Sequence, residues 1–268
     1  MNSQKQIYLF VLCINNGGST MLEKILSRCK NASGLSTEGQ TLVHRVSQDI
    51  MRHQLTPQPI EWSTIKDCIA NPNNYNWRKI KQIWHGEWDT SQPVLVQKSP
   101  RDLFRAEVIE HNFPNAHFVI MSRNPYSICE TGKRVYASAH SLINIFSRKV
   151  QHWAECHKAQ MANIRATRKN VVIRYEDIVN NPAMVEQQIT DFISLLSDVR
   201  CSGELSIKPK HPRTIQNMDV QKIGSLTVQD IREINRWLKP HVDTLRFFGY
   251  QLIDPDDPNR KYFKPLGE

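Results

Sequence analysis

A chain of 268 residues with 40% hydrophobic and 23% charged residues has the make-up of a soluble globular protein, which argues against long disordered or membrane-embedded segments. Its formal net charge of +9 favours an anionic ligand, a nucleic acid or an anionic surface, and is equally compatible with a generally basic soluble surface. The six cysteines, at 13, 29, 68, 129, 156 and 201, form no C-x-x-C pair and no Cys/His cluster with zinc spacing, so reduced thiols and a cytoplasmic setting are the default.

In chain order, residues 7–14 read as a buried strand, too short to span a membrane and without the flanks of a signal peptide. The turn Asn15-Asn16-Gly17-Gly18 follows, then a helix from Ser19 to about Cys29 and another from Glu38 to His53. Trp77, Ile80, Trp84 and Trp88 recur at helical spacing, which reads better as a core-facing helix stripe than as an aromatic acceptor pocket. Val94–Gln97 is the next strand, Leu103–His111 a helix and Ala116–Met121 a strand. Asn124-Pro125 supplies an N-cap and first-turn proline for a helix from Tyr126 to about Ala137. A long helical stretch covers Ser141–Arg168, Val171–Arg174 is a strand, and Asn181-Pro182 opens a helix to about Leu196. Ser202–Gly224, with Pro209, Pro212 and several basic residues, reads as a functional loop or lid. A helix from Thr227 to Phe247 ends at Gly249, and the tail beyond Ile253 is irregular. Cys13 and Cys129 fall in apolar or helical patterns, as small core residues do.

Continuous apolar strands alternating with helices predict an α/β fold of the P-loop nucleotide-binding type: a central parallel β-sheet flanked by helices, as a single domain over 1–268. Three strand ends carry candidate anion-binding features. After the first strand, glycines let backbone amides turn toward an anion at a helix start, and Ser19 and Thr20 add hydroxyls. A Walker A loop would have a Lys before the hydroxyl residue; none is present. After the third strand, Arg123 precedes a helix on which Thr131 lies about two turns on, a guanidinium and a hydroxyl suited to a phosphate. Lys98, followed by Ser99-Pro100-Arg101, closes the second strand at the edge where open α/β sheets bind ligands.

These segments, in this order, resemble the sulfotransferases that use 3′-phosphoadenosine 5′-phosphosulfate (PAPS). "NNGGSTMLEKIL" is similar to the family's 5′-phosphosulfate loop, "VQKSP" to its lysine segment, and "FVIMSRNPYSICET" to its 3′-phosphate strand–turn–helix. "VIRYEDIVNNP" and the stretch from "HPRTIQNMDVQKIG" to "FFGY" resemble its Y-E-D segment and its C-terminal lid and closing helix. The chain departs from the pattern at Asn16, where the family carries Lys or Arg, at Gly17, where it carries Ser, and at Thr131, where it carries Ser.

The resemblance implies metal-independent, in-line transfer of a sulfuryl group to an acceptor hydroxyl or amine, with PAPS as co-substrate. It places the donor's 5′ end on Asn16, Gly17, Gly18, Ser19, Thr20 and Met21, its 3′-phosphate on Arg123 and Thr131, its adenine at Tyr175, and Lys222 in the lid over the site. Lys98 would stabilise the transferring group. Glu38 would be the general base, with His44 as the runner-up. Charge missing at Asn16 would come from Lys98, Arg101, Lys208, Lys210, Arg213 or Lys222. The acceptor class is open between sugar, lipid, phenol and peptide. No nucleic-acid motif and no membrane span is evident. A binding-only relative without transfer activity and a P-loop nucleotide kinase remain the alternative readings.

Overall fold

Apolar runs in the sequence become one five-stranded sheet: β1 (Ile7–Cys13), β2 (Ala32–Gly34), β3 (Val94–Lys98), β4 (Ala116–Ser122) and β5 (Asn170–Arg174), in the order β2-β3-β1-β4-β5. The computed structural model describes residues 6–46, 62–136, 144–206 and 213–257. All four strand pairings are parallel. Every residue of β3 and β4 is buried, because helices cover both faces of the central strands; the edge strand β5 is mostly half-buried. β2 was not legible as a strand: Ala-Ser-Gly is short and weakly apolar, and its backbone is held by pairing with β3.

The helices are α1 (Ser19–Ser27), α2 (Gly39–Val46), α3 (Lys66–Ala70), α4 (Trp77–Glu87), α5 (Ala106–Asn112), α6 (Pro125–Tyr136), α7 (Ile145–Ala166), α8 (Tyr175–Asn180), α9 (Pro182–Phe192), α10 (Asp219–Gly224), α11 (Val228–Leu238) and α12 (Val242–Phe247). The predicted helix Glu38–His53 is seen as α2, and its expected continuation lies outside the described residues. The expected helix Thr227–Phe247 is two, broken by a 3-10 turn at Lys239–His241, where Pro240 has no amide to donate. Within 202–224, β6 (Glu204–Leu205) pairs antiparallel with β7 (Arg213–Thr214), and α10 closes the segment, so its described part is structured rather than a bare loop.

Core packing decides where the site stands. Trp77 and Trp84 of α4 and Trp88, which caps its end, are buried, and Trp84 stacks on Phe113 with ring centroids 5.7 Å apart. Their indole N–H groups also do local work: Trp84 donates to the Gly39 carbonyl at 3.1 Å and Trp88 to that of Val96 at 2.9 Å. A side chain at Gly39 would meet the Trp84 ring at 2.7 Å, so glycine lets the start of α2 approach the core this closely. The tryptophan stripe is thus core, and it anchors the residue after Glu38.

β1 lies at the centre of the sheet. The chain leaves it toward β2 and β3 on one side and reaches β4 and β5 on the other, so the carboxyl end of β1 is the switch point of an open sheet. Val11 pairs with Lys98, Cys13 with Met121, and Ser122 with Arg174. This register sets Lys98 on one flank of the β1–α1 turn and Arg123 and Tyr175 on the other.

Candidate functional site

Two left-handed residues shape the β1–α1 turn: Asn16 (φ 62°) and Gly18 (φ 94°). Asn tolerates that conformation better than most side chains, whereas Gly18 is required doubly, since an added Cβ would meet the Tyr175 ring at 2.5 Å. Gly17 donates to the Ile14 carbonyl at 3.0 Å, and Met21 and Leu22 donate to that of Gly18, starting α1. Amides of a first helical turn have no intrahelical acceptor, and the helix dipole adds partial positive charge there. Thr20 is half-buried, Ser19 is buried, and Met21 joins the core, so only the backbone of Met21 belongs to the turn. Asn16 is exposed, and its carbonyl accepts from Arg123 Nη1 at 2.9 Å. Arg123 is thus a cation in direct contact with the residue that stands where the lysine is missing.

On the β3 flank, Lys98 Nζ lies 2.5 Å from Glu38 Oε1, with the Lys98 side chain 6% exposed and that of Glu38 30% exposed. Gln40 donates its side-chain amide to Glu38 Oε2 at 2.9 Å and its backbone N–H to Ser99 Oγ at 3.2 Å; Gln97 donates to the same hydroxyl at 2.9 Å. These bonds tie the start of α2 to the end of β3 and hold the carboxylate against the ammonium. A cleft of about 320 Å³ opens here, walled by Thr20, Ser36, Thr37, Glu38, Thr41 and Lys98 among others. His44 is half-buried on α2 and is not among the residues lining it.

On the β4 flank, Asn124 Oδ1 accepts from the Tyr126 amide at 2.9 Å and opens α6. Arg123 is buried, its guanidinium 3.7 Å from the Tyr175 ring centroid, and it forms a salt bridge with Asp219 of α10. Thr131 donates to the Ser127 carbonyl and accepts from Lys222 Nζ at 2.8 Å. Burial and the nearby Arg123 charge push the Lys222 ammonium down to about 8. Two cations and a hydroxyl thus converge, with the Asp219 and Glu130 carboxylates as the anions already beside them.

The Y-E-D segment has three separate tasks. Tyr175 packs on Gly18, Asp177 pairs with Arg174 through two bonds of 2.7 Å, and Glu176 accepts from the Asn124 amide and the Tyr250 hydroxyl, each at 2.9 Å. Burial and the neighbouring Asp219 carboxylate push Glu176 up to about 8. A carboxyl that keeps its proton in the folded chain but loses it near 4.5 when unfolded stabilises most at low pH, and that stability is lost as pH rises through about 8. Urea midpoints are therefore expected to fall more steeply between about pH 5 and about pH 8 in the natural protein than in Glu176→Gln. Parallel profiles for the two proteins would rule this out.

Arg101 is buried next to Arg105, Tyr75 and Cys68. Lys208 and Lys210 lie outside the described residues, and Arg213 begins β7. Sequence reasoning missed Asp219, whose pairing with a residue 96 positions earlier has no local signal, and the Ser99–Gln40–Gln97 brace. Among the described residues, no helix is long and apolar enough to cross a membrane, and no group of three His, Cys, Asp or Glu side chains is arranged to hold a metal.

The sulfotransferase family model matches residues 9–198, and the chain belongs to that family. Its fold is similar to that of a sulfotransferase from Alicyclobacillus acidocaldarius (14% identity, TM-score 0.56, 92% of this chain and 97% of that one). It is also similar to the sulfotransferase domain from the Synechococcus PCC 7002 olefin synthase (18% identity, TM-score 0.52, 85% and 90%). A third likeness is a sulfotransferase from Mycobacterium avium (14% identity, TM-score 0.50, 92% and 78%). No curated protein matches the chain.

Proposed function

We propose that the protein transfers a sulfuryl group from PAPS to an acceptor hydroxyl or amine. The observation that carries this reading is the placement of one glycine turn between a Lys98–Glu38 pair and the Arg123–Thr131–Lys222 pocket. The turn amides with Ser19 and Thr20 bind the 5′ end, Thr131 and Lys222 with Arg123 bind the 3′-phosphate, and Tyr175 sits beside the adenine. Their chemistry fits: a buried lysine held down to about 8 next to an arginine gains from a phosphate dianion.

Lys98 stabilises negative charge on the bridging oxygen and the transferring group, Glu38 takes the acceptor's proton, and positioning supplies much of the rest. The two side chains separate when the acceptor oxygen enters the cleft between them. Hydroxyl and charged side chains, with Leu35 and Val96, wall that cleft, which suits an acceptor with polar groups. The six free cysteines suit a cytoplasmic setting.

The test is a set of thermal-stability titrations with adenosine 3′,5′-bisphosphate, AMP, ATP–Mg²⁺ and an oligonucleotide, followed by transfer assays with labelled PAPS. The bisphosphate is expected to stabilise the protein well beyond the others, by about 2.7 kcal/mol at 100 times its Kd. Equal shifts with AMP and the bisphosphate would dismiss the reading. Binding without label transfer to any acceptor of a polar panel would leave a donor-binding protein without turnover.

A further inference from the structure

Asp219 contacts the residue that the proposed function gives to the donor's 3′-phosphate. Its Oδ1 accepts from Arg123 Nε at 3.1 Å and also from Nη2, while Nη1 is used on the Asn16 carbonyl. The fork that would grip a phosphate is therefore already closed on a carboxylate. Asp219 Oδ2 is buried without an N–H or hydroxyl donor among the described residues, and the neighbouring carboxyl is that of Glu176, which the Asp219 charge helps to keep protonated. Three residues on, one helical turn along α10, Lys222 reaches Thr131. Helix α10 thus puts one anion and one cation of its own against the two α6-side groups of the pocket, and α10 packs on α6.

We propose that Asp219 is a competing placeholder: its carboxylate occupies the anion position at Arg123, and a phosphate binds there only by replacing that carboxylate. The inference rests on the donor reading above. A phosphate dianion beside a fixed carboxylate in a buried pocket is repelled, and like charges placed together in such interfaces are costly. A monoester with only a 5′-phosphate needs no exchange and gains nothing at this pocket. A 3′-phosphate takes over both Arg123 donors and lies near Lys222 and Thr131, so it is the group that can displace Asp219. The exchange loosens the start of α10 from Arg123, making occupancy of the 3′ subsite felt in the lid.

The experiment is calorimetric titration of the full chain and of Asp219→Asn with adenosine 3′,5′-bisphosphate, AMP and inorganic phosphate at one pH and one salt concentration. Asparagine keeps the shape and removes the competing charge. Bisphosphate affinity is expected to rise roughly tenfold or more, phosphate affinity to rise with it, and AMP affinity to stay within about twofold. Unchanged or weaker bisphosphate binding in Asp219→Asn overturns the placeholder while leaving the donor reading intact, since Asp219 would then be a permanent support for Arg123. If neither protein binds the bisphosphate, the donor reading fails; stronger phosphate binding by Asp219→Asn still upholds the placeholder, and unaltered phosphate binding ends it. Hydrogen exchange of residues 219–224 in the unmutated protein decides the matter should the variant not fold. Faster exchange with the bisphosphate, but not with AMP, supports displacement; identical exchange with both refutes it.

Discussion

Lys98→Ala is expected to lower kcat by about 10²–10³-fold while donor affinity changes little. Lys98 closes β3 at the carboxyl edge of the sheet, and its buried stem fixes the ammonium on one side of the cleft. Charge on the bridging oxygen grows as the donor's bond breaks, so a cation held there contributes more in the transition state than in the bound ground state. Donor affinity, by contrast, comes from the turn amides and the Arg123 side, which the substitution does not touch. Measuring kcat under donor saturation, with donor Kd from calorimetry, separates the two. A variant with normal turnover and a raised donor KM would move Lys98 from chemistry to binding.

Glu38→Gln should keep donor binding and reduce transfer by about 10²–10⁴-fold, since the amide preserves the shape but cannot accept the acceptor's proton. The surroundings make this substitution clean. Gly39 and Trp84 fix the backbone, and Gln40 can still donate to the remaining oxygen. His44→Ala, outside the cleft lining, is the matched control and should remain active. An active Glu38→Gln beside a dead His44→Ala would transfer the base to His44.

Much of the fold was legible because its signals are local. The continuous apolar runs of β1, β3 and β4 are what doubly covered parallel strands require, and Asn124-Pro125 announces α6 by its own capping chemistry. β2 and the break at Pro240 were not read, the first because three small residues carry no pattern, the second because the helical periodicity runs across the proline. The candidate site was legible residue by residue, at three strand ends, but its partnerships were not. Lys98 touching Glu38, Arg123 reaching both Asn16 and Asp219, and Lys222 reaching Thr131 are set by strand order and register, which no short window contains.

The turn's departure at Gly17 also has a cause outside the turn. A Cβ on residue 17 would collide with Cys13 Sγ and stand 2.8 Å from the Ile14 carbonyl oxygen. The thiol at the end of β1 fills the volume that a serine in the turn would need. A side chain at residue 17 is therefore tied to what stands at residue 13. A route from this loop to a serine-bearing one must make room both at the Cys13 thiol and at the Ile14 carbonyl, so the glycine records how the end of β1 is packed.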